Sequence, residues 1–210
     1  MPKLFFLYLF MAAGFAAAQE SQPVTLPAPQ VEGGKPLMET LKQRKTTREF
    51  SAEKLSPQML SNLLWAAWGI NRDDGRRTAP SASNRQEIEI YVVTADGAYV
   101  YDAKGNLLKP VVREDIRRLT GTQGFVAEAP LNLVYVADWS KLGGGEESGK
   151  IATSHADTGF IAQNVYLFCA SEGLGSVVRG SVNRTELVNA LHLRADQRIT
   201  LTQTVGYPRK

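Results

Sequence analysis

Residues 151–171 read IATSHADTGFIAQNVYLFCAS, the longest helical pattern in the chain. The stretch holds no proline. Ile151, Phe160, Ile161, Val165, Leu167, Phe168 and Cys169 fall on nearly every side of a helix. A helix that is apolar all round belongs at the centre of a fold or in an interface. Glu172-Gly173-Leu174-Gly175 follows, and Gly173 is a natural C-cap with Leu174 closing over it. Before the stretch, Lys141 to Gly149 carries four glycines and two glutamates and reads as a loop.

Working outward, Leu131 to Ala137 is rich in Val, Leu and Tyr and predicts a strand before that loop. Ile88, Ile90 and Val92 alternate with Glu87, Glu89 and Tyr91, a second strand. Ala98–Tyr101 and Leu107–Val111 flank Lys104-Gly105-Asn106 as a hairpin. Ser176–Val178 and Ile199–Val205 predict two more strands. Ser56 and Pro57 open a helix whose Met59, Leu60, Leu63, Leu64, Ala67 and Trp68 repeat at helical spacing up to Gly69. Pro36 opens a short helix that stops near Thr46-Thr47, and Arg113–Leu119 predicts a short charged helix. Asn183 and Glu186 resemble a capping box for a helix through Leu191. Helices and strands mix without strict alternation, which predicts an α+β fold.

The chain has 210 residues and a formal charge of +3, too small and too mixed to point to nucleic acid. Lys3, the apolar run Leu4 to Ala13 and Ala16-Ala17-Ala18 form a signal-peptide pattern over residues 1–18. Cleavage before Gln19 would export the protein to the periplasm or beyond, with no stable membrane span left. Residues 19–35 hold three prolines and two glycines and read as a flexible linker, leaving 36–210 as one domain. The lone Cys169 forms no internal disulfide, and without a nearby base it is not read as a nucleophile. His155 and His192 make no metal site; His155 reads as a hydrogen-bonded core or interface residue, and Trp65 and Trp68 as core.

Four short segments carry the chemistry. Arg44-Lys45-Thr46-Thr47-Arg48 places three cations and two hydroxyls at a helix-to-loop boundary. A phosphate takes guanidinium forks, hydroxyl donors and backbone N–H groups together; alone, the segment also reads as a solvated basic helix end. Pro80-Ser81-Ala82-Ser83-Asn84 is a polar turn between helix and strand. Glu172-Gly173-Leu174-Gly175 permits close approach to its backbone. Gly206-Tyr207-Pro208 ends the last strand, before Arg209-Lys210.

In this order and at these distances the four segments resemble the flavin-binding skeleton of the nitroreductase family. The resemblance covers most of residues 36–208. It implies a three-layer sandwich with a central, mainly antiparallel sheet flanked by helices, and an obligate homodimer with flavin mononucleotide (FMN) in clefts at the subunit interface. It places Arg44 and Thr46 at the phosphate and ribityl end, with Lys45 a weaker candidate. Arg48 would lie near the pyrimidine edge of the ring, where a fixed cation stabilises charge around N1 and O2. Pro80, Ser81, Ala82, Ser83 and Asn84 would meet the ring and ribityl chain. Glu172, Gly173 and Leu174 would bring backbone to N5. Arg209 and Lys210 would either reach the phosphate or form a frayed basic end.

The implied activity is an FMN-dependent oxidoreductase that transfers hydride through flavin N5. The donor would be NAD(P)H or another reductant, and the acceptor a nitroaromatic, a quinone or a similar small molecule. No side-chain acid or base is required, so no catalytic residue is named. Gly75 to Ser81, with Trp65 to Ile70 before it, also resembles the azoline-dehydrogenase (SagB-type) branch, although Asn84-Arg85-Gln86 departs from that branch. A flavin- or ligand-binding protein without turnover is the other reading of the same fold.

Overall fold

The structure, a computed structural model, describes residues 22–209. The signal-peptide pattern of residues 1–18 and the terminal Lys210 lie outside them. Seven strands form one sheet among these residues: β1 Val24–Thr25, β2 Ile88–Thr94, β3 Gly97–Asp102, β4 Leu107–Val112, β5 Leu131–Asp138, β6 Gly175–Arg179 and β7 Gln197–Gly206. Their order is β1-β4-β3-β2-β5-β7-β6, and every pairing is antiparallel. The helices are α1 Leu37–Gln43, α2 Pro57–Trp68, α3 Phe125–Glu128, α4 Glu147–Glu172 and α5 Arg184–Ala190. None of the helices described is long and apolar enough to cross a membrane.

Strand alternation explains the layering. Ile90 and Val92 of β2, with Leu133 and Tyr135 of β5, point to one face. There they meet Leu63, Leu64 and Ala67 of α2 and Ile161, Ala162 and Val165 of α4. Tyr91, Val93, Val134 and Val136 point to the other face and meet Leu187 and Leu191 from the α5 region. Every residue of β5 is buried. The near-continuous apolar run of that strand is what burial on both faces demands. The α+β sandwich expected from the sequence is therefore the fold observed.

Three expectations are corrected. Residues 22–35 do not behave as a linker. Val24 and Thr25 pair with Leu108 and Leu107, and Leu26 is buried in the main core. Prolines donate no N–H, but the carbonyls of this segment still accept: Ser61 Oγ donates to Pro27 O (2.5 Å), Gln58 Nε2 to Ala28 O (2.9 Å) and Asn106 Nδ2 to Pro27 O (2.7 Å). The segment is a strap over α2, ending where the Lys35 N–H donates to Ser171 Oγ on α4.

The charged helix expected over Arg113–Leu119 is only a 3₁₀ turn, Arg117–Thr120. Asp115 takes the Arg117 backbone N–H (3.1 Å) and its guanidinium (2.7 Å), a local alternative to helical hydrogen bonds. The glycine-rich loop is shorter than read, because Trp139–Leu142 forms a 3₁₀ turn and α4 begins at Glu147.

Truncating Leu26 tests the strap. Leu26→Ala should lower unfolding free energy by about 2–4 kcal/mol, read from the shift of the urea midpoint. A linker residue would leave the midpoint unchanged.

Candidate functional site

The Arg44–Arg48 segment leaves α1 and runs beside the edge strand β6. Thr46 and Ser176 form a parallel bridge, and the Thr47 N–H donates to Ser176 O (2.9 Å). Glycine at 175 permits this approach, since a Cβ there would fall 2.7 Å from Thr47 Cγ2. Tyr166 of α4 closes the corner: its hydroxyl accepts the Val178 N–H (2.9 Å), lies 3.4 Å from Thr46 Oγ1, and its ring sits 5.4 Å beneath the Arg44 guanidinium. The result is a cavity of about 370 Å³. Lys35, Lys45, Thr47, Tyr166 and Gly173 line it.

Gly173 caps α4 in the left-handed conformation (φ +74°), and the Leu174 N–H donates to Cys169 O (2.8 Å). A Cβ at 173 would meet no heavy atom within 4 Å, so the backbone of this turn faces open space. Cations and hydroxyls on one side and accessible backbone on the other suit an anionic group joined to a flat one.

The second predicted segment lies elsewhere. Pro80 to Asn84 sits over the N-terminal half of α4, where the Ala82 N–H donates to Asp157 Oδ2 (2.9 Å). Ser83 and Asn84 (both φ +53°) and Gln86 (φ +49°) are left-handed without being glycine, at a cost of about 1 kcal/mol or more each. The turn is held by the Gln86 N–H to Ser81 Oγ (3.0 Å) and by Arg77 Nε to Gln86 Oε1 (2.7 Å). Asp157 and Glu172 are separated by about 22 Å of helix at 1.5 Å per residue. One chain therefore does not bring Pro80–Asn84 to the Gly173 cavity.

The face of α4 turned away from the sheet is exposed along Ile151, Ala152, His155, Ala156, Gly159 and Phe160. Leu37, Met38 and Leu41 of α1 are exposed too. Thus α4 is central on one face and uncovered on the other. His155 lies on the uncovered face, its Nδ1 2.9 Å from Ile151 O. Trp68 is buried and Trp65 half-buried. Burial pushes the Cys169 thiol far up, which suits packing rather than nucleophilic attack.

Arg48 is exposed on its segment. Arg209 is not frayed: its N–H donates to Glu49 O (3.1 Å), while its guanidinium pairs with Glu128 (3.2 Å) and turns away from the cavity. Sequence reasoning missed Tyr166 and the role of Asp157. A tyrosine and an aspartate inside an apolar helix pattern are the only local signals for them.

The nitroreductase family profile matches residues 41–207. The chain belongs to the nitroreductase family. A nitroreductase-named protein of Methanocaldococcus jannaschii is 30% identical over 168 residues, covering 75% of this chain and 85% of that protein. A nitroreductase structure from Ralstonia eutropha superposes with a TM-score of 0.86 at 42% identity, covering 93% of each chain. A nitroreductase from Desulfovibrio desulfuricans, solved in complex with FMN, shares the fold at 22% identity and a TM-score of 0.62, over 85% of this chain and 89% of that one. These matches make the chain an oxidoreductase-family protein of nitroreductase fold.

The two glycines are expected to fail differently. Gly173→Ala should cost about 1 kcal/mol through backbone strain alone. Gly175→Ala should cost about 1–3 kcal/mol by overpacking against Thr47. Denaturant midpoints measure both, and protease sensitivity at residues 44–48 should rise only in Gly175→Ala.

Proposed function

We propose that the protein is an FMN-dependent oxidoreductase that works as a homodimer, accepting reducing equivalents from NAD(P)H or another donor and passing them to a small organic acceptor such as a nitroaromatic or a quinone. One observation carries the reading: the two groups of residues that would contact the flavin sit about 22 Å apart along α4, one over its N-terminal half and one at its C-terminal end, and the outer face of that helix is apolar and uncovered. A two-fold partner with its α4 antiparallel would set the Pro80–Asn84 turn of one subunit against the Gly173 cavity of the other. The site is then complete only in the dimer.

FMN fits the residues present. The open backbone at Gly173 accommodates a flat ring, and Arg44, Lys45 and Thr46 offer the charge and hydroxyl chemistry of a phosphate site. Bound there, FMN would supply two-electron hydride chemistry. The chain would bind, orient and exclude water: Arg48 would offset negative charge at the pyrimidine edge, backbone N–H groups near Gly173 would fix the ring, and Ala82 to Asn84 would wall it in. Export follows from residues 1–18 alone, and N-terminal sequencing of the secreted form should begin at Gln19.

The purified protein should be yellow. Arg44→Ala should weaken FMN binding by about 10- to 100-fold, the loss of one charge-assisted contact, measured by fluorescence titration of the flavin-free protein. Phe160→Glu should give monomers in sedimentation velocity and lose FMN with them. A monomer that keeps full FMN affinity would sink the interface reading, and a wild-type protein that takes up no FMN would sink the cofactor reading.

A further inference from the structure

Directly behind the Pro80–Asn84 turn lies a carboxyl that the proposed chemistry does not use. Glu87, the residue just before β2, is 0% exposed, and neither of its carboxyl oxygens has a hydrogen-bond partner of good geometry. A buried carboxylate without a donor is strongly disfavoured. Two charged groups face it from the surrounding elements. Asp157 of α4 is itself buried (3% exposed) and already accepts the Ala82 N–H through Oδ2. Lys141, from the turn after β5, directs its Nζ to the Gln86 carbonyl (3.3 Å). Arg85, the next cation along the chain, is turned to the Leu142 carbonyl.

A proton on Glu87 resolves the conflict. The neutral acid is no longer a buried charge, and it gains one hydrogen bond, to Asp157. Burial first, and then the neighbouring Asp157, raise its pKa from 4.5 to about 7, opposed by its own backbone N–H and, more weakly, by Lys141. The proton-sharing pair thus stands between the core and the backbone N–H that anchors a strained, left-handed turn.

We propose that Glu87 is a positioning residue: protonated, it locks Asp157 onto the Ala82 N–H and holds the 80–84 turn in its flavin-facing shape; ionised, it repels Asp157 and releases the turn. The residue touches no substrate or cofactor and acts through Asp157. The link from the turn to FMN rests on the proposed function, whereas the lock itself does not.

The sign of the pH dependence follows. Between pH 4.5 and about 7 the folded state holds a proton on Glu87 that the unfolded state has lost. This group's contribution to stability is therefore fully present below pH 4.5 and fades as pH rises to about 7. If only the locked form binds FMN, affinity should fall about tenfold one unit above that pKa.

The experiment uses the full mature chain, free of flavin and then titrated with FMN. Hydrogen exchange of the peptide containing Ala82, corrected for intrinsic rates, should show protection below neutral pH that is lost above it. In Glu87→Gln the amide mimics the protonated acid, so protection and FMN affinity should both become independent of pH. Asp157→Asn, which can donate to an ionised Glu87 while still accepting from Ala82, should do the same if Glu87→Gln fails to fold. Identical pH profiles for wild type and the variants would overturn the proposal. Loss of Ala82 protection with pH in a chain that takes up no FMN would support the lock and overturn the cofactor reading instead.

Discussion

Gln203, fully buried at the centre of β7, ties the layers of the molecule together. Its amide nitrogen donates to the Ala162 carbonyl of α4 (3.2 Å) and to Ser176 Oγ of β6 (2.8 Å), and its oxygen accepts from the Tyr135 hydroxyl of β5 (2.5 Å). Every polar atom of the side chain is used. In a dry interior, leaving any one of these partners alone costs about 1–3 kcal/mol. The helix and three neighbouring strands can therefore slide only by breaking several bonds at once. Ser176 passes the constraint outward, because its carbonyl carries Thr47 and hence the basic segment.

Further polar contacts repeat the device along α4. Thr158 Oγ1 lies 2.8 Å from Thr200 Oγ1 on β7, and Asn164 Nδ2 donates to the Ala66 carbonyl of α2 (3.1 Å). At the sheet edge, buried Arg179 donates to Thr120 O (2.9 Å), Asn132 Oδ1 (3.0 Å) and Thr204 Oγ1 (2.8 Å), and burial without a carboxylate partner lowers its pKa to about 10. Apolar packing supplies the driving force for these layers, but apolar contacts alone tolerate small shifts. The polar pins select one register, and with it the positions of the Gly173 cavity and the 80–84 turn.

Much of this was legible from periodicity. β2, β5, α2 and α4 stand where alternation and helical spacing put them, because their patterns are long and their faces are buried. The strap of residues 22–35 was not legible. Its hydrogen bonds come from side chains 30 to 136 positions away, and a proline-rich segment has no local pattern to distinguish a strap from a tether. The order of the site segments was readable. Their division between the N-terminal half and the C-terminal end of α4 was not, since it depends on which residues that helix carries under the turn. Asp157 and Glu87 could not be told from surface carboxylates by sequence, because their weight comes from being enclosed.

The 80–86 turn shows how enclosure becomes control. Its left-handed residues are strained, so it keeps its shape only while its neighbours over-determine it. One support comes from α2, where Arg77 stacks 4.8 Å from the Trp68 ring, donates to the Trp68 carbonyl (2.7 Å) and grips Gln86. The other comes from α4 through Asp157. Desolvation works against the charge on both sides: it lowers the pKa of Arg77 and raises that of Glu87. Arg77 stays charged throughout the ordinary pH range, so the α2 support is constant. Glu87, with its pKa raised to about 7, changes charge near neutrality, which makes the α4 support the variable one. A turn held constantly from one helix and conditionally from another can loosen at Ala82 without losing its place between Thr78 and β2.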